Sequence, residues 1–142
     1  MRQYITILFF LVISQHGYAS DLYKSCNLLT VHTQKIKLYE EKSQIILIHN
    51  ISDVDLWLVT SDGNINSQLK TNKWSALLLN NTKLMLTCIE SKPGHEQQVP
   101  CADLIAMCQI KNKIKATLTN SPTIWLGENM KRKYLLETIS AI

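Results

Sequence analysis

At 142 residues with a formal charge of +4, the chain is long enough for one domain with a real core and too short for two. So mild a positive balance does not point to nucleic acid. The sequence holds no repeat, no low-complexity tract and no Gly/Pro-rich linker, and its three prolines, Pro93, Pro100 and Pro122, all fall late.

The first element is a leader. Arg2 precedes an apolar run from Ile5 to Ile13, followed by Gly17 and Ala19. A charged start, an apolar stretch and small residues at the cut are the parts of an export signal, in the right order. Cleavage after Ala19 places Gly17 and Ala19 at the third-last and last positions, where the peptidase needs small side chains. Cleavage after Ser20 would put Tyr18 there instead. The competing reading is a membrane anchor, but nine apolar residues fall well short of the roughly 20 that span a bilayer. Cys26 lies too far past Ala19 to carry a lipid. The expected organisation is a signal peptide at 1–19 and a single disulfide-stabilised β domain at 20–142. It is periplasmic or secreted and has no stable membrane span after cleavage.

Strands follow in order. From Gln34 to Tyr39, Ile36 and Leu38 alternate with Lys35 and Lys37, the period of a half-buried strand. Glu40–Lys42 is a polar turn. Ser43–Asn50 is almost continuously apolar, as a central strand is. Asp55–Thr60 forms a third strand with Trp57, and Ser61–Asn72 a long polar loop. Lys73–Leu79 is a fourth strand. In Lys83–Glu90, Leu84, Leu86 and Cys88 share one face, which aims Cys88 at the core. Ser91–Val99 reads as a second loop around the turn signal Pro93-Gly94. Ala102–Ile110 is a strand, with a helix as the alternative; Lys113–Leu118 alternates again, and Thr123–Leu126 is extended. Met130–Ile139 suits a short helix with Met130, Tyr134, Leu135 and Ile139 as its apolar stripe. About seven short strands with turns between them predict a mainly β fold. It would be an antiparallel β-sandwich or barrel, with the C-terminal helix packed on one end or capping an edge.

Cys26, Cys88, Cys101 and Cys108 make an even set in a small exported chain, the pattern of two disulfides. Three connectivities are possible. Residues seven apart are separated by about 23 Å on a strand and about 10 Å on a helix, against the ~7 Å that a disulfide spans between Cα atoms. Geometry therefore disfavours Cys101–Cys108. The preferred pairing is Cys88–Cys101 across a loop, with Cys26–Cys108.

Chemistry is sparse. His32, His49 and His95 are not at ligand spacing, and Cys88, His95, Cys101 and Cys108 lack the close pairs of a structural zinc site. A copper set of Cys88, His95 and Met107 leaves two cysteines unexplained. No G-x-S-x-G or S-x-x-K motif is present, so a serine nucleophile has no local signature. The carboxylate pairs Glu90/Glu96 and Asp53/Asp55 sit in or near loops, where solvated acids are expected. No catalytic residue, metal or cofactor is therefore assigned. Asn50-Ile51-Ser52 and Asn80-Asn81-Thr82 match the glycosylation sequon. Lys111, Lys113, Lys115, Lys131, Arg132 and Lys133 gather late and read as solvated faces.

The segment CIESKPGHEQQVPC, from Cys88 to Cys101, stands apart. It sets a turn, a histidine, two glutamates and two glutamines between two cysteines. If these pair, a stiffened polar loop results, a common binding element. Glu90, Pro93, Gly94, His95, Glu96 and Gln97 are the candidate interaction residues, set against a purely structural turn. WSALLL (Trp74–Leu79), LTCIESKPGHEQQVPCADLIAMCQ (Leu86–Gln109) and TIWLGENM (Thr123–Met130) resemble the enhanced-entry protein B family, small exported proteins of intracellular bacterial pathogens. The most specific part is C-x-E-x-x-P-G-H-E-Q at Cys88–Gln97. Ile110 departs from the aromatic that tends to follow Cys108-Gln109 in that pattern. The resemblance implies a virulence-associated role in host-cell entry or intracellular growth, with no known enzymatic activity or ligand. The expected function is a non-enzymatic interaction protein whose partner is a protein or envelope component. The alternatives are a small exported hydrolase acting on envelope material and a metal-binding envelope protein.

Overall fold

The computed structural model describes residues 26–40, 44–60, 66–80, 82–110 and 123–141. The expected leader, the strand at 113–118, and Lys111, Lys113 and Lys115 lie outside them. Ten strands and one helix are present among the described residues: β1 (Leu29–Thr30), β2 (Ile36–Glu40), β3 (Gln44–Asn50), β4 (Leu56–Thr60), β5 (Asn66–Leu69), β6 (Trp74–Leu79), β7 (Thr82–Lys92), β8 (His95–Val99), β9 (Ile105–Ile110), β10 (Thr123–Met130) and α1 (Arg132–Ser140).

The strands form two antiparallel sheets of five. One runs β1-β9-β3-β6-β10. The other runs β2-β7-β4-β5, with β8 also on β7. The eleven-residue β7 is long enough to serve two partners on one side. Its first half pairs with β2, from Glu40↔Thr82 to Ile36↔Leu86, and its second half with β8, from Cys88↔Val99 to Lys92↔His95. β2 and β8 thus lie end to end along one edge of β7, opposite β4.

Residues of both sheets share one apolar cluster. Ile46, Ile48, Leu77 and Leu79 come from the first sheet, and Ile36, Leu38, Leu56, Leu58, Leu86 and Cys88 from the second. The first sheet has a second buried face, where Ile45, Leu47, Ala76 and Leu78 meet Leu135, Leu136 and Ile139 of α1. Burial on both faces explains why β3 and β6 are near-continuous apolar runs; every residue of β6 is buried. β4, covered on one face, keeps strict alternation.

The helix lies at the edge of the first sheet: α1 packs on one face of that sheet against its edge strand β10 and the neighbouring β6, and its buried stripe is Leu135, Leu136 and Ile139. Tyr134 is 53% exposed, and Met130 belongs to β10. The close approach is made at Gly127, where a Cβ would overlap Leu135 and come within 2.9 Å of Met130 Sδ. β10 shifts register there against β6. Ile110, the departure from the enhanced-entry pattern, is buried in this helix-side cluster.

Three further expectations change. The loop expected at Ser61–Asn72 contains β5, paired with β4 from Leu56↔Leu69 to Val59↔Asn66. The loop expected at Ser91–Val99 is a hairpin arm, and Ala102–Leu104 is a turn before β9. Among the described residues no helix is long and apolar enough to cross a membrane.

Candidate functional site

The Cys88–Cys101 segment is built from the sheet outward. Cys88 is fully buried in the cluster between the sheets, and so is Cys101. They are joined, with Cα atoms 5.3 Å apart; Cys26 is joined to Cys108 at 5.5 Å. This is the preferred pairing. It leaves no free cysteine among the described residues, so neither the imagined zinc set nor the copper set has a thiolate to offer. No group of three or more His, Cys, Asp or Glu suited to a metal occurs among the described residues.

Beyond the bridge, β7 and β8 run out as a two-stranded arm that turns at Pro93-Gly94. Proline presets φ for the first turn position, and Gly94 takes φ +79°, a conformation that glycine adopts without cost. Nothing lies within 4 Å of a Cβ built at Gly94. The requirement for glycine is therefore conformational, and the tip stands in open solvent. Pro93, Gly94, His95, Glu96, Gln97 and Gln98 are all exposed, so both faces of β8 meet water. Its far edge carries no strand among the described residues.

Glu90 behaves differently from the other five candidates. It lies in the sheet opposite Gln97 and Leu56. Its largely covered side chain binds Lys92 Nζ at 2.6 Å. It belongs to the base of the arm, while Pro93–Gln97 form the presented part. The base is braced from β4: Trp57 Nε1–H donates to Ser91 Oγ at 3.0 Å, and Ser91 N–H donates to the Asp55 carbonyl at 2.9 Å. On the other side Cys101 N–H donates to the Gln34 carbonyl. Sequence reasoning missed this brace. The available signal was Trp57, whose indole N–H needs a partner when half-buried.

The remaining histidines fall elsewhere. His32 Nδ1 lies 3.0 Å from Asp103 Oδ1, with both side chains 76% exposed, a surface pair of small energetic weight. His49 stacks on Trp74 with ring centroids 4.2 Å apart, and the Arg132 guanidinium lies 5.0 Å from the Trp74 ring. His49 Nε2–H donates to Asn72 Oδ1 at 3.1 Å, with Asn72 at φ 57°. Burial lowers the His49 pKa below its ordinary 6.5; the Asn72 bond opposes this and Arg132 adds to it. The unfolded chain therefore takes up a proton at His49 before the folded one does, and stability falls as pH drops from about 6.5 through the folded-state value. Thermal melts of His49→Gln should show a shallower acid-side loss across that window; a slope equal to wild type would remove His49 as its source.

Asn50 of the first sequon is fully buried. Its Nδ2 donates to the carbonyls of Val54 at 2.8 Å and Leu69 at 2.9 Å. The atom that glycosylation would modify is committed to the fold.

No family model matches the chain, and no curated protein or solved structure matches it. The case for function therefore rests on the arm itself.

Proposed function

We propose that this is an exported, non-enzymatic interaction protein of the bacterial periplasm or envelope, of β-sandwich architecture. It acts in the virulence-associated, host-cell-entry context of the enhanced-entry proteins its motifs resemble, and it engages a protein or envelope component through the β7–β8 arm. The observation that carries this reading is the arm's geometry: a covalently closed, braced base and a tip exposed on both faces with one open edge. Interior packing does not require such a projection. An open strand edge is an aggregation liability unless it is managed, and here Pro93 and Pro100 bound it. What is left is a short backbone ladder of the kind extended partners pair with, preorganised so that little ordering entropy is lost on binding. The two disulfides support an oxidising compartment.

The test is an alanine block at His95, Glu96 and Gln97, with a photo-crosslinking residue at Gln98. Since these side chains are exposed, the block should change stability by less than about 0.5 kcal/mol per site. Crosslinking in envelope extract should give a dominant adduct that the block abolishes. An adduct pattern unaffected by the block would remove the arm as the contact surface.

A further inference from the structure

β2 and β8 both run antiparallel to β7 along the same side of it, so they point the same way, one behind the other. Neither has a strand on its far side among the described residues. A hollow of about 420 Å³ opens beside Thr33, Gln34, Lys35 and Lys37, which leaves room along the β2 half. Together the two strands make one long composite edge.

β7 serves as a ruler for it. Glu96 lies opposite Ser91 and Gln98 opposite Ile89; Lys37 lies opposite Met85. Ser91 N–H donates to the Asp55 carbonyl, toward β4. Backbone groups alternate in direction along an antiparallel strand, so odd-numbered residues of β7 face β4 and even-numbered ones face β2 and β8. Residues opposite the odd positions therefore turn their N–H and C=O groups away from β7. Glu96, Gln98 and Lys37 are such residues, and all three are exposed. Side chains alternate too. Cys88 points into the core, so Ser91 and Met85, on either side of it at odd spacing, point the other way. Glu96 and Lys37 share that outer face, about 20 Å apart along the edge. Neither belongs to the ion pairs His32–Asp103 and Glu90–Lys92 found among the described residues.

Open edges are commonly guarded by charged side chains, and charges of one sign would repel a second copy. This edge carries both signs, one in each half. Turned about a twofold axis and laid antiparallel, it brings Lys37 of a second copy opposite Glu96, and Glu96 of that copy opposite Lys37. Each such pair also aims its backbone groups at the facing strand, as a hydrogen-bonded pair does. Pro100 has no N–H and falls near the axis, so the ladder is two short runs rather than one.

We propose that the composite β8–β2 edge pairs with the same edge of a second copy, forming a symmetric antiparallel dimer held in register by two Glu96–Lys37 ion pairs. The proposal rests on the reading of the arm's open edge as a contact surface and names a partner for it. Twofold pairing makes each contact twice, and the charge pattern sets register and specificity more than affinity. So small an interface gives a weak, reversible dimer. The dimer covers the edge that an envelope partner uses, so the two compete.

Sedimentation equilibrium of the purified protein over a concentration series tests it. A reversible monomer–dimer equilibrium is expected, weakened by salt. Glu96→Lys and Lys37→Glu each set like charges opposite one another twice per dimer, and each should weaken dimerisation about tenfold or more. Mixed together, the two single variants regain both opposite-charge pairs and should form a heterodimer within about threefold of wild-type affinity. Misfolding of either variant cannot produce that recovery. A protein that stays monomeric at every concentration overturns the proposal, as does a dimer indifferent to both substitutions, or variants that fail to pair when mixed. A photo-crosslinker at Gln98 separates this result from the arm reading. Monomeric protein that still captures an envelope component through it sinks the dimer and keeps the arm. A chain-to-chain adduct in purified protein with no envelope adduct keeps the dimer and removes the envelope partner.

Discussion

Replacing Cys26 and Cys108 together by alanine should lower the stability of the domain by about 4.5 kcal/mol, the larger of the two disulfide effects. The bridge closes a loop with a sequence separation of 82, against 13 for Cys88–Cys101. On the chain-entropy account the longer loop contributes about 4.5 kcal/mol and the shorter about 3 kcal/mol. Location adds to the difference. Cys26 and Cys108 lie in the cluster beneath α1, and Cys26 holds the short segment whose β1 pairs with β9. Denaturant midpoints of the two double-alanine variants check the order. The Cys88/Cys101 variant should lose less stability but more arm contact, as read by the Gln98 crosslink. If it proves the more destabilised of the two, the bridges do not act mainly through loop closure.

Asn50→Ala should cost about 3–4 kcal/mol, a loss of core size from a polar side chain. Asn50 is fully buried at the end of β3. Its amide donates to Val54 and Leu69, and its Oδ1 accepts from Ser52 N–H at 3.0 Å and Ser52 Oγ–H at 2.6 Å. Alanine would leave the Leu69 carbonyl and the Ser52 N–H without these partners, at about 1–3 kcal/mol for each buried group that stays unpaired, while the Val54 carbonyl keeps Ser52 Oγ–H as a donor at 3.1 Å. Because the residue ties the Ile51–Val54 turn to β5, its loss should also loosen the β4–β5 hairpin. Ser52→Ala, which removes only the hydroxyl bonds, should cost about 1 kcal/mol. Urea unfolding of both variants checks this. Equal effects would mean that the carbonyl partners are satisfied without Asn50.

The arm shows how a site can be half legible. Pro93-Gly94 marked the turn and two cysteines marked the base, because each is a local covalent or conformational constraint. That HEQQV forms a strand was hidden, since four of its five residues are polar and exposed. Its strand state comes from backbone pairing to β7, and pairing partners leave no mark on a polar edge. β5 was missed for the same reason: NSQL carries too little apolar pattern to announce that Leu69 lies opposite Leu56.

Alternation in β2 and β7 was readable in the sequence because side-chain direction follows from a two-residue period, and the near-continuous apolar run of β3 marked a strand covered on both faces. The short span a disulfide tolerates argued against Cys101–Cys108 alone; between the two pairings left, Cys88–Cys101 with Cys26–Cys108 was a preference that the structure bears out. Tertiary structure alone decided which face of which sheet α1 covers, and so why Leu136 is buried and Tyr134 is not. It also decided that β2 and β8 share one edge of β7, and that Glu96 and Lys37 lie on one face of it. Those outcomes depend on contacts between residues far apart in the chain, and no local period records them.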